Sequence, residues 1–189
     1  GVVPPLVQAL REGLAADHRP QEGHMMRYAL GALVNLSGRI SPDLKPLMAN
    51  SGAVPLLVQL LNGSRGLQRE EEALFALYNL SMGSNNVRQS IVEGDAVPLL
   101  VKHLQEGSSF GAKELAAGVL RKLSALSDEV KQFIAESGAV NSVLELLSVD
   151  SPRLKEHAAG ILRDLSYGPD NLRQSIAESG VLQIVHLLR

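Results

Sequence analysis

Four segments of this chain end alike. Residues 27–37 read RYALGALVNLS, 70–81 EEEALFALYNLS, 113–124 KELAAGVLRKLS and 155–166 KEHAAGILRDLS. Aligned on Leu36, Leu80, Leu123 and Leu165, the residue just before is Asn35, Asn79, Lys122 or Asp164, and these positions lie 44, 43 and 42 residues apart. A fixed period in the forties restricts the chain to a stack of helical units, because one such unit is too short to bury its own apolar face. Within each copy apolar residues recur at helical spacing, as at Leu115, Ala116, Val119, Leu120 and Leu123. The small residues Ala29, Ala73, Ala116 and Ala158 leave room for neighbouring helices to approach.

Two further segments repeat in step. GVVPPLVQAL at residues 1–10 matches GAVPLLVQLL at 52–61, DAVPLLVKHL at 95–104, GAVNSVLELL at 138–147 and, less cleanly, GVLQIVHLL at 180–188. The prolines suit a first helical turn, where a missing N–H goes unnoticed. Ahead of each later copy lies another short helix: 43–52, 86–94, 128–138 and 170–180. Asp or Asn at its front predicts an N-cap, and Gly at its back predicts a left-handed C-terminal stop. Polar loops at 62–66, 105–109 and 148–152 then lead to the long third helix. In the first unit this connection, residues 11–23, is longer: 25 residues separate the second helix from the aligned position, against 18, 18 and 17 elsewhere. It reads as an inserted surface loop, a place where function is often carried.

Composition removes several classes of function. There is no cysteine, so there is no disulfide, thiolate metal site or cysteine nucleophile. The net charge of −2 argues against a dedicated nucleic-acid or membrane-surface binder. No apolar run approaches the ~18 residues of a membrane span, and the opening GVVPPLVQAL has no secretory pattern. A cytoplasmic or nuclear setting is the expectation. His18 and His24 lie near one another in sequence, and two histidines with no cysteine in the chain are a poor zinc set. No phosphate-binding glycine loop or nucleophile elbow is present. The chain is expected not to be an enzyme and to use no cofactor.

A short helix ending in SG or EG, then GAVPLLVQLL, a short loop and EEEALFALYNLS resembles the armadillo repeat, over nearly the whole length. The resemblance implies an all-α, right-handed superhelical solenoid of about four three-helix repeats. The repeats fall at approximately 1–51, 52–94, 95–137 and 138–179, with a partial 180–189 in a single array. It further implies a non-catalytic scaffold that holds an extended peptide of another protein against the third helices. Asn35 and Asn79 match the family residue that pairs with a peptide main chain; Lys122 and Asp164 do not. One turn earlier, where import adaptors of the family carry Trp, stand Gly31, Phe75, Gly118 and Gly160, which argues against capture of a basic import signal.

The expected groove therefore contains Asn35, Asn79, Phe75, Lys122, Asp164, Glu72, Glu114, His157 and Arg27, with Tyr28 and Glu156 on the same wall. Its three glutamates would form a mildly acidic strip, and the broken ladder predicts a short site weighted toward the N-terminal repeats. The expected partner is a protein or peptide, without nucleic acid or membrane insertion. Two alternatives stand beside it: the substrate-recognition part of a ubiquitin ligase, or self-association through terminal repeats. The latter follows from Val2, Val3, Leu6, Val181, Ile184 and Leu187, which would lie partly bare at the ends. A piece of a longer array would leave the same faces open, and that is the expectation favoured over self-association.

Overall fold

The computed structural model describes residues 1–15, 20–38, 43–62, 67–105 and 108–187. Among these there are twelve helices and no strand: α1 (Val3–Ala15), α2 (Pro20–Ser37), α3 (Leu44–Asn50), α4 (Ala53–Leu60), α5 (Leu67–Ser81), α6 (Asn85–Glu93), α7 (Ala96–Leu104), α8 (Phe110–Ser124), α9 (Asp128–Glu136), α10 (Ala139–Leu146), α11 (Pro152–Ser166) and α12 (Asp170–Leu187). The chain is an all-α array of about four three-helix repeats. It divides into two compact units, Gly1–Ala96 and Val97–Arg189.

In the first unit α2 packs on both α1 and α5, while α4 and α6 also lie against α5. In the second, α8 packs on α11, and α9, α10 and α12 also pack against α11. Each core is aliphatic. Leu30, Leu33, Leu57, Leu74, Leu77 and Leu80 of the first unit, and Val119, Leu120, Leu123, Ile134, Ile161 and Leu165 of the second, are fully buried. Ala29, Ala73, Ala116 and Ala158 are buried as the spacing predicts, and no more than 3% of any is exposed, so a larger side chain would force the helices apart.

Sharp turns between first and second helices come from a left-handed residue just before the second helix. Gly52 has φ 80° and Gly138 φ 83°. In the repeat between them this position falls on Asp95, φ 57°, one residue beyond the expected Gly94. Gly94 is needed for another reason: a Cβ there would lie 3.1 Å from Val54 Cγ1. An L-residue in the left-handed region costs about 1–2 kcal/mol, part of which glycine loses again through its freer unfolded chain. Asp95→Gly should therefore raise the unfolding free energy by roughly 0.5 kcal/mol. A urea midpoint that falls instead would contradict this.

Four features differ from the sequence reading. The 11–23 connection is not a long loop: α1 continues to Ala15 and α2 starts at Pro20, so most of the extra length is helix. Leu14 at 5% exposure explains why the extension is stable. His18 and the connection at 16–19 lie outside the described residues, as do parts of the other polar loops. Asp43 stands at the N-cap of α3 as expected but makes no side-chain capping bond, and at α6 and α9 the caps are serines, not the expected Asn86 and Asp128. Ser84 Oγ accepts from the Val87 N–H and Ser127 Oγ from that of Val130, at 3.5 and 3.4 Å. Ser109 and Ser151 cap α8 and α11 in the same way, from within segments read only as polar loops. Near the end of the chain no break occurs at Gly180; α12 runs through it. Lastly Val3 is completely buried while Val2 is 55% exposed, so only part of the first helix's apolar surface is bare.

Candidate functional site

The repeated motif closes each third helix on a serine, and that serine organises the neighbourhood of the ladder residues. Ser37, Ser81, Ser124 and Ser166 each place Oγ near the carbonyl three residues back, at 2.7, 2.6, 2.9 and 2.6 Å. A buried hydroxyl is thereby satisfied inside its own helix. The first three are fully buried. Asn79 of α5 donates through Nδ2 to Ser37 Oγ of α2 at 3.1 Å. In the second unit the direction inverts: Ser124 Oγ of α8 lies 3.2 Å from Asp164 Oδ2 of α11, and because a carboxylate can only accept, the single Ser124 hydroxyl proton is shared between Asp164 and the Arg121 carbonyl. The ladder residue thus braces its helix against the one before, and Asn and Asp are two chemical versions of the same brace.

These braces sort the expected groove residues. Asp164 is buried, and Arg163 binds its other oxygen through Nε at 3.0 Å and Nη2 at 2.7 Å. Its charge is spent inside the repeat. Asn79 is half-buried, and one donated bond leaves a second amide hydrogen and the carbonyl oxygen of the carboxamide. Asn35 is exposed. Lys122 is half-buried.

In the first unit α2 and α5 also carry exposed aromatics on the same face. Tyr28, two turns before Asn35, is 67% exposed, and Phe75, one turn before Asn79, is 44% exposed. The Arg27 guanidinium carbon lies 5.1 Å from the Tyr28 ring centroid, and Nη2 donates to its hydroxyl at 3.3 Å. Glu72 is half-buried and accepts from Gln68 Nε2 at 3.3 Å. Of the expected groove residues, Tyr28 and Asn35 thus lie on α2 and Phe75 and Asn79 on α5, each at least partly open to solvent.

The second unit presents a different surface. Glu114 of α8 accepts from Arg153 of α11 at 2.6 Å, and Glu156 of α11 accepts from Arg121 of α8 at 2.8 Å. Two of the three glutamates of the expected acidic strip are therefore already matched by cations. Arg121 and Arg153 were not legible as partners, because helical spacing does not say which neighbour a long side chain will reach. The Arg121 bond holds the Glu156 carboxyl below its usual range.

Half-buried His157 sits among these four charges, with its Nδ1 buried and without a hydrogen-bond partner. Burial pushes its pKa below the usual histidine range, and Arg121 adds to the effect; Glu156 and Glu114 oppose it. The folded state therefore binds this proton less readily than the unfolded chain, so stability present at neutral pH is lost as pH falls through the histidine range. Lowering pH from 7.5 to 5.5 should reduce the urea midpoint of the native chain more than that of His157→Gln. Equal losses in the two would contradict the assignment.

Among the described residues no group of three or more His, Asp or Glu side chains is placed to hold a metal ion. None of their helices is long and apolar enough to cross a membrane. His24 is exposed on α2.

Comparison with known proteins points to the same fold. Residues 127–167 match the Armadillo/beta-catenin-like repeat family. A computationally designed armadillo repeat protein for modular peptide recognition is 25% identical, with TM-score 0.83 over 100% of this chain and 74% of its own. A designed armadillo repeat protein in complex with the peptide (KR)4 is 23% identical, with TM-score 0.80 over 95% of this chain and 71% of that one. No curated protein sequence matches the chain.

Proposed function

We propose that this chain of armadillo repeats is a non-catalytic scaffold that binds an extended segment of another protein, chiefly on the third-helix face of its first unit. The observation that carries the reading is the arrangement of Asn35, Asn79, Tyr28 and Phe75 on α2 and α5. Each of these two packed helices carries a carboxamide with unspent hydrogen-bonding groups and, one or two turns earlier, an exposed aromatic ring. A carboxamide can donate to a peptide C=O and accept from its N–H together, so it holds main chain irrespective of sequence. The rings supply apolar contact for side chains, at low entropic cost because each has only two rotors. The designed armadillo proteins of the same fold, one of them in complex with (KR)4, support a peptide as the ligand class.

The second unit contributes less to this reading. Asp164 is consumed as a brace, and the α8–α11 charges are paired. The site is accordingly short and weighted toward the N-terminal repeats.

Selection of a random-peptide display library on the whole chain tests the proposal. Enriched peptides should share apolar or aromatic positions. They should shift amide resonances of α2 and α5, and compete with one another. Peptides that bind only elsewhere, or no enrichment above an unrelated helical protein, would overturn it.

A further inference from the structure

The second unit holds an arginine in an unusual seat. Gly160 occupies the position on α11 one turn before Asp164, and it is buried. What covers it is the Arg121 side chain from α8. A Cβ built on Gly160 would lie 2.5 Å from Arg121 Nε, 2.9 Å from Cδ and 3.2 Å from Cζ, so the guanidinium rests directly on the helix backbone. Its Nη1 then reaches the Glu156 carboxylate one turn up α11, at 2.8 Å. Bare backbone below and a carboxylate at one end suit a flat, delocalised cation with several donors; an ammonium has neither the plane nor the fork to fill the seat. Glu156 remains 66% exposed, so solvent and ligands reach the anionic end even while Arg121 is in place.

We infer that the seat over Gly160 is a guanidinium-binding subsite, occupied in the free chain by Arg121 and able to accept an arginine side chain of a bound peptide in its place. This extends the peptide-binding reading to the second unit and names a side chain that it would select. The exchange keeps the charge balance, since one guanidinium leaves Glu156 as another arrives. Arg121 then swings into water, which an arginine with a long stem tolerates. Exposed ion pairs of this kind are weak, so the resident side chain reduces apparent affinity only modestly, by about fivefold.

The test uses the full chain and two small probes, N-acetyl-arginine amide and N-acetyl-lysine amide, followed by amide shifts of Gly160 and its neighbours. Arg121→Ala should bind the arginine probe about fivefold more tightly than the native chain, with shifts centred on Gly160. Arg121→Gln, which keeps much of the stem and its packing, should behave likewise if the alanine variant is poorly folded. Adding Glu156→Gln should abolish the gain, and the lysine probe should bind alike in all variants. Equal arginine affinity with and without Arg121, or an equal gain for the lysine probe, would overturn the inference. These probes report on Gly160 whether or not the Asn35–Asn79 face binds peptide, so either reading can fail while the other stands.

Discussion

Leu77→Ala should lower the unfolding free energy by about 3 kcal/mol, the largest stability loss expected of any single change discussed. Leu77 lies in α5 with no exposed surface, and Ala73, Leu74, Ala76 and Leu80 of the same helix are equally buried. Alanines cannot swell into the space that a lost isobutyl group leaves, so the cavity stays open and adds to the transfer cost. In a stack of repeats each unit is stabilised by its own folding and its contact with neighbours, so the loss also weakens α2 and α4, which pack on α5. Phe75→Ala on the same helix is the control. With 44% of its surface exposed it should cost less than about 1 kcal/mol while still weakening peptide binding. Chemical denaturation of the two variants checks both halves. A smaller loss at Leu77 than at Phe75 would mean that the assignment of core and outer face on α5 is reversed.

The period, the three-helix repeat, the aliphatic core and the left-handed glycines 52 and 138 were legible in the chain, because each rests on local chemistry repeated several times. What stayed hidden depends on contacts between repeats. Nothing in the string DLS says that Asp164 turns inward to Ser124 and Arg163, or that Arg121 crosses to Glu156 over a glycine. Ser37 and Ser124 share a motif position that could have suggested their role: a serine that ends four third helices at one register is available to every following repeat. Residues 11–23 misled because polar and small residues there read as loop, whereas Leu14 is buried and carries α1 forward to Ala15. Asp95 shows the converse limit: the backbone register fixed the left-handed position, and the residue found there is not the one that position prefers.

Peptide affinity should fall by roughly thirtyfold when Asn35 and Asn79 are both replaced by alanine. Each carboxamide is credited with about one or two main-chain hydrogen bonds at ~0.5–1.5 kcal/mol apiece, and their loss leaves peptide groups unpaired against an apolar face. Asn79→Ala also removes the donor to Ser37 Oγ, so this variant should lose about 1 kcal/mol of stability that Asn35→Ala retains. That difference separates bracing from binding. Ser37 keeps its bond to the Val34 carbonyl in either case, so the buried hydroxyl is not orphaned and both variants should fold. The most direct test is a fluorescence-anisotropy titration of one display-selected peptide with the native chain, the two single variants and the double variant, at a temperature where all are folded. Affinity should fall at each position, and roughly thirtyfold in the double variant. A double variant that binds the peptide as tightly as the native chain would contradict it.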